Sequence, residues 1–155
     1  MQSKEHYFVL PNQSIDDIPN DIQHLYLYGF KDYENNDLIC LNSFCQLKSL
    51  TICDFGFEKD RRFVLDGLES LESVMIGEYC FEIGEKERGD GLCRITNCPN
   101  LRQLEIGNWS FEDFKSFELS NLNSLQSIKF GYRCFGNSDC SFKSHFHLSF
   151  FSLTF

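Results

Sequence analysis

A chain of 155 residues with 42% hydrophobic and 24% charged residues has the composition of one ordinary globular domain, not of a disordered segment. Its formal charge of −9 argues against general affinity for nucleic acid or an anionic membrane face, since both require an electropositive surface. With 17 phenylalanines, Phe as well as Leu must fill the interior.

The opening residues, MQSKEHYFVLPNQS, hold no apolar run of signal-peptide length, and acidic residues follow at once. No run approaches the ~18 apolar residues that span a bilayer. The expectation is a soluble, cytoplasmic chain forming a single domain over residues 1–155. Residues 1–21 are expected to cap it. There Phe8, Val9 and Leu10 make a short strand closed by Pro11, and Ile15 and Ile18 precede Pro19 and an Asn-Asp turn.

Residues 22–135 carry a repeat. LKSLTICDFGF, LESVMIGEYCF, LRQLEIGNWSF and LQSIKFGYRCF begin at Leu47, Leu71, Leu101 and Leu125. The starts are 24, 30 and 24 residues apart, and such self-similarity is the signature of a solenoid. Counted from each starting Leu, apolar residues fall at offsets 0, 3, 5 and 10. An irregular first repeat supplies Ile22, Leu25 and Leu27 at the first three of these, then passes into the polar stretch KDYENND. Terminal repeats are expected to be atypical, having a neighbour on one side only.

Each repeat has a second half. Offset −8 holds Ile39, Phe63, Cys93 and Phe117; offset −6 holds Leu41, Leu65, Ile95 and Leu119; offset −3 holds Phe44, Leu68, Cys98 and Leu122. Strict alternation over so few residues predicts short strands with one buried face. Asn, Ser, Asp, Gly and Pro between them favour turns. The fold class expected is therefore mainly β: a solenoid of about 24-residue coils, two short strands per coil and little helix.

Gly77, Gly107 and Gly131 share offset 6, where Gly permits either a positive φ or close backbone approach; Cys53 takes that place in the first full repeat. Offset 9 is small (Gly56, Cys80, Ser110, Cys134) and offset 10 is Phe (Phe57, Phe81, Phe111, Phe135). This predicts a tight inward corner followed by a spine of phenylalanines between coils. The third repeat is six residues longer than its neighbours, the excess falling in EIGEKERGDG, residues 82–91, read as an excursion from one edge. Residues 136–155 form a degenerate or truncated last repeat, in which Phe142, Phe150, Leu153 and Phe155 resume the apolar places. The apolar tail is expected either to mark a truncation or to serve as a docking edge.

Leu101, Leu104, Ile106 and Phe111 fall on the apolar places of LxxLxLxxNxL, and the form LxxLxIGxx(A/C/S)F resembles the leucine-rich-repeat family, closest to its BspA-like subclass. The resemblance covers roughly residues 22–135. It implies noncatalytic recognition of protein on a β-lined concave surface. One departure stands out. The family's Asn place, offset 8, holds Phe55, Tyr79, Trp109 and Arg133, so an aromatic ladder ending in a cation–π contact is expected in place of a buried Asn ladder.

Little in the chain points to catalysis. Cys40-x4-Cys45 and Cys93-x4-Cys98 are too widely spaced for zinc-ligand pairs. Cys93 and Cys98 occupy core offsets, and Cys80 and Cys134 the small corner, so all are read as buried small hydrophobes. Arg88-Gly89-Asp90 spells RGD, a tripeptide too short to establish a function by itself. His6, His24, His145 and His147 lie in irregular segments without a third ligand. Asn12-Gln13-Ser14 and Asn108-Trp109-Ser110 are sequons of equally little weight, and Ser110 is expected to face inward. No cofactor or metal is expected.

The remaining candidates face outward around the second strand: Ser49, Ser73, Gln103 and Ser127 at offset 2; Thr51, Met75, Glu105 and Lys129 at offset 4; Asp54, Glu78, Asn108 and Tyr132 at offset 7. Their variety contrasts with the regular inward set. The expected function is protein recognition through these residues, with no nucleic-acid or membrane partner. The alternative is a structural fragment of a longer array that self-associates through its C-terminal edge.

Overall fold

The computed structural model describes residues 5–10, 14–28, 39–57, 60–83, 91–136 and 141–145. Within them the chain is mainly β. Its strands are β1 (His6–Val9), β2 (His24–Leu27), β3 (Ile39–Cys40), β4 (Ser49–Ile52), β5 (Arg62–Asp66), β6 (Ser73–Ile76), β7 (Gly91–Thr96), β8 (Gln103–Ile106), β9 (Phe114–Ser120), β10 (Ser127–Phe130) and β11 (Ser141–His145). The helical content described is one short 3-10 turn, Ile15–Asp17. The RGD tripeptide, the KDYENND stretch, His147 and Phe150–Phe155 lie outside the described residues.

From β2 onward the chain visits two parallel sheets in alternation. One has the order β1-β2-β4-β6-β8-β10 and the other β11-β9-β7-β5-β3. Register follows the sequence repeat. Leu25, Leu50, Val74, Leu104 and Ile128 lie side by side, as do Leu27, Ile52, Ile76, Ile106 and Phe130. In the second sheet Ile39, Phe63, Cys93, Phe117 and Phe142 align. A one-residue slip would turn each strand's apolar set outward, so burial fixes this register. Most of the expected excursion, residues 84–90, lies outside the described residues; the pairing of both sheets on either side of it is intact. Where β7 meets β9, Gly91 pairs Phe114 and Leu92 pairs Ser116, so Lys115 is a bulge.

The inward rows of both sheets form one core. Leu50, Val74, Leu104 and Ile128 from one sheet, and Phe63, Leu65, Ile95, Phe117 and Leu119 from the other, are all buried. The predicted phenylalanine spine is present. Phe57 stacks on Phe81 at 5.3 Å, Phe81 on Phe111 at 4.5 Å and Phe111 on Phe135 at 5.2 Å, each within 12° of parallel. Phe114 meets Phe111 edge-on at 4.9 Å, joining the spine to the second sheet. Each such buried ring contributes roughly 1.5–3 kcal/mol.

The N-terminal strand differs from expectation in detail. It runs His6–Val9, and only Val9 is buried; Phe8 and Leu10 are exposed. β1 pairs with β2 in parallel and in register, extending the six-stranded sheet itself.

The glycines at offset 6 serve close approach and not positive φ. A Cβ on Gly107 would sit 2.6 Å from the carbonyl carbon and oxygen of Gly77, and one on Gly131 would strike the Asn108 backbone nitrogen. Positive φ is instead carried by non-glycine residues. Offsets 8 and 10 of every full repeat have φ between 53° and 61°, from Phe55 and Phe57 to Arg133 and Phe135. Bulky residues are unfavourable there, and such a conformation persists only where its surroundings over-determine it. Here backbone bonds do so. The N–H groups of Phe55, Tyr79 and Trp109 donate to the offset-7 carbonyls of the next repeat. Those of Phe81, Phe111 and Phe135 donate to the offset-9 carbonyls of the preceding one.

Candidate functional site

The outward face of the six-stranded sheet carries two side-chain rows. His6, His24, Ser49, Ser73, Gln103 and Ser127 share one register position; Phe8, Tyr26, Thr51, Met75, Glu105 and Lys129 share the next outward one. The structure thus brings the eight predicted residues at offsets 2 and 4 onto one surface. Phe8 and Met75 are 53% and 51% exposed, although each is a large apolar side chain. The surface changes character along the sheet. Its β1–β2 end is aromatic, with Phe8 stacked on Tyr26 at 4.7 Å and His6 on His24 at 4.6 Å. At the β8–β10 end Lys129 Nζ and Glu105 Oε2 approach to 3.5 Å. That pair is exposed on both sides and contributes at most about 1 kcal/mol.

His6, Phe8, His24 and Tyr26 were not among the expected candidates. Their signal is present in the sequence as two short alternating runs, HYFV and HLYL. These start 18 residues apart, off the 24-residue spacing, which conceals the relationship.

The four residues at offset 7 belong elsewhere. Asp54, Glu78, Asn108 and Tyr132 lie in the turns after the strands, and hydrogen bonds tie each repeat to the next there. Asp54 Oδ1 accepts from the Glu78 N–H at 2.8 Å, and Asn108 Oδ1 from the Tyr132 N–H at 2.7 Å. Asn108 Nδ2 donates to Glu78 Oε1 at 2.7 Å. Their expected freedom to specify a partner is therefore reduced, because Asp54 and Asn108 satisfy backbone donors. A second ladder runs along the end of the other sheet. Asn42 Oδ1 accepts from the Asp66 N–H, Asp66 Oδ1 from Thr96 Oγ1 and Asn97 Nδ2, and Asn97 Oδ1 from Asn121 Nδ2, at 2.7–3.0 Å. Gly67, Asn97 and Asn121 turn that corner with positive φ, where Gly and Asn are the residues of least strain.

The expected aromatic ladder forms at offset 8. Phe55 and Tyr79 stack at 5.2 Å and 2°, Tyr79 and Trp109 at 6.1 Å and 5°, and the Arg133 guanidinium lies 4.6 Å from the Trp109 ring centre. Glu112 Oε1 holds the same guanidinium at 2.7 Å. Phe55 and Arg133 are exposed, so this ladder does not replace a buried Asn ladder.

That work falls to the small residues at offset 9. Three of the four, all but Gly56, donate to the offset-6 carbonyl of the repeat before: Cys80 Sγ to Cys53 O at 3.3 Å, Ser110 Oγ to Gly77 O at 2.7 Å, and Cys134 Sγ to Gly107 O at 2.8 Å. Ser110 Oγ also accepts from the Cys80 N–H at 3.0 Å. Ser110 is fully buried, as expected of an inward sequon serine.

Burial pushes the Cys80 thiol up to about 12 and the Cys134 thiol up to about 11, and raises Cys53 and Cys98 above the usual thiol value for the same reason. Cys80, Cys98 and Cys134 are hydrogen-bond donors, and all four thiols are protonated at neutral pH. Cys80, Cys93 and Cys98 are buried as expected, but Cys45 is exposed and Cys53 and Cys134 are half-buried. All six are free thiols.

His24 Nδ1 lies 2.7 Å from Ser49 Oγ. The His6 and His24 rings are 17° from parallel, so their nitrogens do not converge on a common point, as a shared metal would require. Among the described residues no group of three or more His, Cys, Asp or Glu is placed to hold a metal ion, and no helix is long and apolar enough to cross a membrane. Searches of protein-family models, curated proteins and solved structures found no match to the chain.

Proposed function

We propose that the chain is a noncatalytic recognition module of leucine-rich-repeat type, built as a solenoid of about 24-residue coils. It binds a protein partner through the outward face of the six-stranded sheet. One observation carries this reading: large apolar side chains, Phe8 and Met75, stand exposed on a continuous in-register surface whose neighbours are Tyr26, Thr51 and Ser73. Burying Met75 inward would have been the cheaper arrangement, and exposed aromatic and Met side chains are enriched at protein interfaces. The variety of residues at offsets 2 and 4 supports the same reading, since these positions are largely free of the stacking that fixes the inward rows.

The test is saturable binding by the full chain and its variants to a protein partner first captured with the wild type. Met75→Lys should weaken binding at least tenfold, while Val64→Lys on the opposite sheet should leave it unchanged. Equal affinity for wild type and Met75→Lys would remove this face from consideration. Glu105 and Lys129 are best reversed together, which preserves their ion pair and tests partner charge alone.

A second reading, self-association, draws on a different observation. Phe130 and Phe135, the last described rings of their rows, are only half-buried. Concentration-dependent oligomerisation abolished by deleting residues 142–155 would favour it.

A further inference from the structure

Among the described residues β1 is one of the two edge strands of its sheet. Inward it is anchored by Val9, its one fully buried side chain. Outward it is held by two ring stacks, His6 on His24 at 4.6 Å and Phe8 on Tyr26 at 4.7 Å. His6 also lies 6.0 Å from the Tyr26 ring. The bond to Ser49 on β4 fixes the orientation of His24. Of the four outward ring contacts of this strand, which include Phe8 with Tyr28 at 6.2 Å, the shortest is the imidazole pair, and histidine is the side chain suited to a charge change near neutral pH.

From this geometry we propose that His6 and His24 form an acid-sensitive latch: neutral rings hold β1 against β2, and protonation of both releases β1, uncovering Tyr26 and the edge of β2. Two imidazolium rings stacked at this distance repel each other, and the repulsion falls on a strand whose inward anchorage is one fully buried side chain, Val9, and one partly buried, Tyr7. Lys48, which precedes β4, adds to the repulsion on His24; Glu5, before β1, and Glu72, before β6, act against it. Desolvation leads these effects, the His6 charge follows, and the sum holds His24 below the ordinary histidine value. The sign follows directly. A histidine depressed in the fold is charged more readily once released. The stabilisation is therefore complete above the free value of 6.5 and is lost as pH falls through the lowered one.

The latch requires no partner and stands apart from the recognition reading. Its test is residue-resolved amide hydrogen exchange on the full chain at pH 7.5 and 5.0, corrected for intrinsic exchange rates. Amides of β1 and of His24–Leu27 should lose about fivefold more protection on acidification than those of β6 and β8, as expected for two like charges at this distance in a largely aqueous setting. His6→Phe keeps a stacked ring that cannot be protonated, and it should abolish this difference. His24→Gln keeps a polar partner for Ser49 and should abolish it too. Equal loss throughout the sheet in the wild type, or the same acid loss in both variants, would overturn the latch.

Discussion

Ser110 shows how much a single small side chain does in this fold. Its hydroxyl accepts from the Cys80 N–H and donates to the Gly77 carbonyl, joining two strand exits in a position with no access to water. Ser110→Ala should cost about 1–3 kcal/mol, because it leaves buried backbone groups unpaired. Ser110→Cys should cost less, since Cys80 and Cys134 already serve at the same offset. The shift in urea midpoint at constant slope reads both. The same ladder gives an alkaline signature. Cys80, raised to about 12 in the fold, is neutral there while an unfolded thiol ionises near 9.0. A raised acid contributes stability that is whole below pH 9.0 and is lost as pH climbs toward 12. Melting temperature should therefore fall more steeply above pH 9 in the wild type than in Cys80→Ser. Parallel curves for the two proteins would deny the thiol this role.

The turn between each second strand and its phenylalanine is the element on which the stack depends. Phe111 is fully buried between Phe81 and Phe135, so Phe111→Ala should cost about 3–5 kcal/mol, whereas Phe135→Ala, half-buried at the end of the spine, should cost about half as much or less. Gly107→Ala should cost on the order of 1–3 kcal/mol, because the new methyl meets the Gly77 backbone and not a movable side chain. Denaturant unfolding of the three variants ranks these effects. The same element shows why the sequence is only partly legible. Inward rows were readable because burial imposes a period, and Phe at offset 10 recurs in all four full repeats. The backbone of the turn was not. Positive φ is normally sought at Gly or Asn, and here Tyr79, Phe81, Trp109 and Phe111 adopt it while Gly77 and Gly107 do not. Stacking and inter-repeat hydrogen bonds hold that conformation, and both are properties of neighbouring repeats. The candidate face was half-legible for a related reason. Offsets 2 and 4 followed from strand alternation, but an outward-looking Asp54 or Asn108 reveals its backbone partner only once the next repeat lies beside it.

Within each sheet every strand pairs only with its immediate neighbours, and those are usually one repeat away in sequence. Damage should consequently spread according to where it is made. Ile106 in β8 lies between Ile76 and Phe130, with paired strands on both sides. Ile106→Ala should lower stability by about 2–5 kcal/mol and raise exchange in β6, β8 and β10 together, because no strand on either side can keep its packing without it. Among the described residues Val9 in β1 has a paired strand on one side only. Val9→Ala should loosen His6–Val9 and the facing edge of β2, leaving the unfolding midpoint of the remainder nearly unchanged. On the solenoid reading proposed above, stability is approximately a sum over units and their nearest-neighbour interfaces, and an edge unit enters that sum once. Residue-resolved hydrogen exchange on the two variants separates the outcomes. A uniform rise in exchange across both sheets for Val9→Ala would mean that β1 belongs to the cooperative centre, and an acid-released edge strand would then be impossible without unfolding the whole molecule.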